Sequence, residues 1–116
     1  MICIDKISFT VVGPFKGVDA RDLNAYSLVV KMEYGGRSLL LTGDIPQEVE
    51  VKLQNVKADI LKVAHHGSDT SSAEKFIRRV EPLVALVSVG KNNRFGHPKE
   101  EVLYRLKKIR CSNLSY

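Results

Sequence analysis

Apolar and polar positions alternate clearly at the start of the chain, where Ile7, Phe9 and Val11 interleave with Ser8, Thr10 and Val12. Period two predicts a strand over Ile2 to Val12, half-buried or at a sheet edge, ended by Gly13-Pro14. Phe15 to Asn24 mixes glycine with charges of both signs and reads as a loop. Alternation resumes at Ser27 to Tyr34, pauses at Gly35-Gly36 and continues from Arg37 to Thr42. Two strands joined by a glycine pair predict a hairpin, because glycine supplies the positive φ of a tight primed turn.

Helical spacing then takes over. Pro46 suits the first helical position, Glu48 and Glu50 sit where the helix dipole favours acids, and Val49, Leu53 and Val56 form an inner stripe. Asp59 to Ala64 is an apolar run of strand length. Ser71-x-x-Glu74 has the form of a capping box ahead of the stripe Phe76, Ile77 and Val80, and Glu81-Pro82 ends that helix. Leu83 to Val89 is continuously apolar, which predicts a strand buried on both faces. Pro98 opens a last helix with His97 as its cap and Val102, Leu103, Leu106 and Ile109 inward. Cys111 to Tyr116 carries no usable pattern. Strands alternating with helices predict an α/β (α+β) domain, one mixed sheet with helices packed on it.

Three of the apolar runs end in groups that carry chemistry. Leu39-Leu40-Leu41-Thr42-Gly43 ends in Asp44, Leu61-Lys62-Val63-Ala64 ends in His65-His66-Gly67-Ser68, and the third leads through Gly90-Lys91-Asn92-Asn93-Arg94-Phe95-Gly96 to His97. Asp44 fits either the cap of the following helix or a ligand given room by Gly43. His65 and His66, if both extended, point to opposite faces, so one faces a given metal while the other packs behind it. Gly67-Ser68 is either an anion-wrapping turn or a plain turn, and His97 is either a cap or a ligand. Imidazole and carboxylate together suit Zn, Mn or Fe, and such sites activate water.

The 116 residues make one domain, and with 44% of them hydrophobic they can bury a core. A net charge of +5 admits an anionic partner without requiring one. Cys3 and Cys111 lie far apart and form no ligand pattern, which favours free thiols in a reducing, cytoplasmic setting. No apolar stretch reaches the roughly 18 residues of a membrane span, and the amino terminus does not read as a secretory signal. Taken alone, the chain reads as soluble.

Asn24-x-x-Ser27-Leu28-Val29-Val30, Leu39 to Asp44, Leu61 to Ser68, and Ser88-Val89-Gly90-x-Asn92-Asn93-x-Phe95-Gly96-His97-Pro98 occur in that order. The series resembles the carboxy-terminal half of the metallo-β-lactamase-like domain of the ComEC family of DNA-uptake competence proteins, from about Ile7 to Ile109. The resemblance implies part of an αββα sandwich, a phosphodiesterase or nuclease site, and a divalent metal, Zn or Mn. It assigns the bridging-aspartate position to Asp44 and the late histidine ligand to His65, with His66 the other metal candidate. It makes Asp44, His65 and His97 the catalytic set, and puts Ser68, Asn92 and Asn93 on the substrate side. Family members also carry an earlier HxHxDH-type motif. All three histidines here lie after position 64, so that motif and the amino-terminal half of the sandwich are expected to be missing from residues 1–116, and a parent protein would be membrane-associated.

Two or three ligands fall short of a dinuclear centre, so the isolated chain is expected to be inactive or very weak. A metal-free module is the alternative. A half-sandwich leaves a sheet face uncovered, and such a face favours homodimerisation. DNA binding would fall to Lys91, Arg94, Lys99, Arg105, Lys107, Lys108 and Arg110, which otherwise form a solvated face.

Overall fold

The structure is a computed structural model that describes residues 1–15 and 23–108, and the backbone of 113–115. Ile109, Arg110, Cys111 and most of the expected loop before Asn24 lie outside the described residues.

Among the described residues, seven strands form one mixed sheet in sequential order: β1 (Ile2–Ile4), β2 (Ile7–Gly13), β3 (Val29–Tyr34), β4 (Arg37–Leu41), β5 (Ile60–Lys62), β6 (Val84–Leu86) and β7 (Asn113–Ser115). The first four pair antiparallel, and β4 to β7 pair parallel. Helices α1 (Gln47–Glu50), α2 (Glu74–Val80) and α3 (Glu100–Lys108) occupy the three parallel crossovers. Right-handed crossovers that step steadily across a sheet put every helix on the same face.

Burial agrees with that geometry. Leu40, Leu61 and Ala85 are mutual register partners and are fully buried, beneath Phe76, Ile77 and Val80 of α2 and Val102 and Leu106 of α3. Apart from Ala85, each such side chain contributes about 1.5–3 kcal/mol of hydrophobic stabilisation. The opposite face holds Ile2, Phe9, Val11, Val30, Met32, Leu41 and Leu86 in register. There Val11 is 60% exposed and Leu41 37%.

The Gly35-Gly36 hairpin forms as the pattern predicts, with both glycines at positive φ. The single strand expected over Ile2 to Val12 is instead two strands folded at Asp5-Lys6, whose φ values of 50° and 77° make a primed turn without glycine. The helix at Pro46 is one turn long. Pro46 is its cap, and Leu53 and Val56 reach the core from the irregular chain beyond it. Asn55, at φ 58°, turns that chain and accepts a hydrogen bond from the buried Lys31 ammonium at 2.9 Å.

The capping box does not form. Ala73 is the cap position of α2, and Ser71 instead donates to the Ile45 carbonyl at 2.6 Å. The strand expected over Leu83 to Val89 shortens to β6, with Leu83 half exposed rather than buried on both faces. His97 is not the cap of α3, which starts two residues beyond Pro98. The tail, patternless in sequence, supplies β7.

Candidate functional site

The parallel strands bring their following turns to one sheet edge. The turn after β4 carries Gly43 and Asp44, and its Gly43 carbonyl accepts the His65 backbone N–H at 2.9 Å. Asp44 is held by its own N–H, which donates to Ser27 Oγ at 3.2 Å. It does not cap α1, whose cap residue Pro46 lies two positions on with no side-chain cap bond. Gly43 sits at φ 57°, and a Cβ there would meet Ser27 Cβ at 2.9 Å, so this turn needs glycine on both counts.

The histidine pair is not extended. His65 and His66 lie in a 3₁₀ turn, Ala64–Gly67, at φ 52° and 55°. Left-handed backbone at two consecutive non-glycine residues is uncommon and strained, and it cancels the expected opposite-face arrangement. His66 Nδ1 lies 2.5 Å from the Ser88 carbonyl. A carbonyl only accepts, so Nδ1 carries the proton and neutral His66 keeps Nε2 as its basic nitrogen. His65 Nδ1 lies 3.5 Å from Thr70 Oγ1.

Gly67 brings the third turn close. A Cβ at Gly67 would lie 2.5 Å from Pro98 Cβ, and the Gly67 carbonyl accepts Lys99 N–H at 3.0 Å. His97 thereby meets His65 edge to face, with ring centroids 5.9 Å apart, and stacks on Phe95 at 5.7 Å. Asn93 fastens the loop. Its Oδ1 accepts His97 N–H at 2.8 Å, and its Nδ2 donates to the His97 carbonyl at 2.7 Å and to Gly90 O at 3.2 Å. Burial lowers the His97 pKa, and the neighbouring His65, Lys99 and His66 lower it further, against an opposing Asp69.

Of the sequence candidates, Asp44, His65, His66 and His97 thus stand on adjoining turns. Ser68 is turned inward: it is buried, and its hydroxyl is engaged by Thr70. Asn92 is exposed at φ 59°, and Asn93 spends its amide on the loop. Sequence reasoning passed over Lys62 and Phe95. Lys62 feels the Asp44 charge, which raises its pKa against the larger lowering by burial. It is the lone charge within Ile60-Leu61-Lys62-Val63-Ala64, and that was the available signal.

Among the described residues, no three histidine, cysteine, aspartate or glutamate side chains come together as a group that could hold a metal ion. The residues present therefore do not on their own fit a catalytic metal, which normally takes three protein ligands. No helix among the described residues is long and apolar enough to cross a membrane.

No protein-family model matches the chain. It is 45% identical over 109 residues to ComE operon protein 3 of Bacillus subtilis, covering 90% of this chain and 14% of that protein. It is 35% identical over 108 residues to Recombination protein 2 of Haemophilus influenzae, covering 91% and 14%. With Competence protein ComA of Neisseria gonorrhoeae the identity is 34% over 108 residues, covering 89% and 16%. The chain therefore spans about one-seventh of the length of these relatives. Their names indicate a competence-related family, to one segment of which this chain is similar.

Proposed function

We propose that residues 1–116 are the carboxy-terminal half of a metallo-β-lactamase-like sandwich in a competence-related protein, contributing part of a Zn- or Mn-dependent site for phosphodiester hydrolysis in DNA uptake. The observation that supports this most is the bond from His65 N–H to the Gly43 carbonyl, which ties the Asp44 turn to the histidine turn. In this reading Asp44 and His65 face the metal, and His66 is oriented by its bond to Ser88 in the manner of a metal-ligating histidine. His97, stacked on Phe95 and with its pKa lowered chiefly by burial, lines the substrate side. The remaining ligands come from another segment, and a second sheet covers the face that carries Val11, Val30 and Leu41.

The reading is tested by replacing the matching segment of the Bacillus subtilis relative with this chain and assaying Mn-dependent phosphodiester cleavage. Cleavage lost in D44N and H65A supports it. Robust turnover by residues 1–116 alone would overturn the requirement for completion from elsewhere.

A second reading rests on the open sheet face, with Ile2 at 61% and Val11 at 60% exposure. An apolar surface of this extent drives association, so the chain would act as a metal-free self-associating module. Light scattering decides here: a dimer dissociated by Leu41→Lys supports it, and a clean monomer counts against it.

A further inference from the structure

We propose that loop 90–97 carries a stacking subsite for an unpaired nucleobase of a single-stranded nucleic acid, with the Phe95 ring as its platform. Phe95 is 72% exposed, an unusual place for a phenyl ring, yet it is not loose. It stacks on His97 with 25° between ring planes, and His97 is gripped through both its N–H and its carbonyl by Asn93. A platform ordered in advance loses little entropy when a ligand settles on it.

Beside the ring is a largely apolar hollow of about 210 Å³, lined by His66, Val89, Gly90, Asn93, Phe95 and His97. The charge of the loop that carries it points to the occupant. Residues 90–99 contain Lys91, Arg94 and Lys99 and no acid, and Lys91 and Arg94 are exposed. The Lys99 ammonium lies 3.7 Å from where a Gly96 Cβ would stand. An apolar seat on a loop whose own charges are all positive, with Asp69 acting only on the adjoining His97, matches a base followed by its phosphate, since base–aromatic stacking and backbone charge are the two terms that hold single strands. An apolar peptide would gain nothing from those loop charges. The subsite rests on the phosphodiesterase reading for its purpose, because a strand seated on Phe95 passes the adjoining His97–His65 edge.

Binding of a fluorescently labelled twelve-residue oligothymidine to the 116-residue chain, measured by anisotropy in EDTA, tests the subsite without any metal or turnover. F95A is expected to weaken binding by roughly 5- to 150-fold, the equivalent of about 1–3 kcal/mol per stacked base. F95Y retains it. An abasic strand of equal length binds more weakly than oligothymidine and is indifferent to F95A, and a blunt twelve-pair duplex shows no dependence on Phe95. Equal binding by F95A and the native chain, equal binding of abasic and base-bearing strands, or no binding at all would each overturn the proposal. Phe95-dependent binding without Mn-dependent cleavage in the chimera would instead sink the hydrolase reading and leave the subsite standing.

Discussion

Glu50 accepts the backbone N–H of Ser72 at 2.6 Å, and its other oxygen accepts that of Ala73 at 2.8 Å. A carboxylate from α1 thus caps α2 from 22 positions upstream. It is fully buried, and burial raises its pKa from 4.5 to about 7, against the two N–H groups and Arg105, which lower it. A folded-state pKa above the unfolded one means the folded chain holds the proton longer. Stability contributed by protonated Glu50 is therefore present below about pH 4.5 and is lost as pH rises towards 7, by on the order of 3 kcal/mol. Denaturant unfolding from pH 4.5 to 8 should show this fall, and E50Q should flatten it.

Gly67→Ala places a Cβ 2.5 Å from Pro98 Cβ, at a φ of 83° that disfavours side chains. Strain and clash together should cost about 2–4 kcal/mol. Thermal unfolding reads the loss, and unchanged stability would mean that the histidine turn and loop 90–97 are not packed as described.

Asn93→Ala removes the acceptor for His97 N–H and both amide donations. The expected destabilisation is about 1–3 kcal/mol, with faster hydrogen exchange at the His97 amide. Asn93→Asp should not rescue it, because a carboxylate would face the His97 carbonyl.

His97 should titrate below the ordinary histidine range in a proton NMR titration. Removing a neighbouring positive charge by His65→Ala should raise its pKa, since His65 follows burial among the lowering causes. For a depressed histidine the unfolded state takes up the proton first, so this group's contribution is full above pH 6.5 and is lost as pH falls through 6.5 towards the folded value.

What could be read in advance followed from local chemistry. Gly35-Gly36 marked its hairpin because only glycine takes both conformations without strain, and the runs ending in Asp44 and His65-His66 marked a shared edge. The Asp5-Lys6 turn was hidden because its positive φ falls on residues that do not advertise it. The true cap of α2 was hidden because Glu50 is distant in sequence, while Ser71-x-x-Glu74 mimicked a local box. Ser71 was drawn to Ile45, and Glu74 to Arg78 at 2.9 Å and Lys108 at 3.4 Å. At the site, residue types pointed to the edge. The left-handed backbone of His65 and His66, which decides how their rings are presented, is set by contacts with Gly43, Ser88 and Pro98 that no spacing encodes.

The most direct test of the central claim is a Mn²⁺ titration of the ¹⁵N-labelled chain followed by paramagnetic line broadening. The account predicts weak binding that broadens the amides of residues 43–45, 64–67, 96 and 97 first, and D44N combined with H65A should remove the effect. Broadening centred elsewhere, for example around Asp59 or Glu33, or persistence in the double variant, would contradict it.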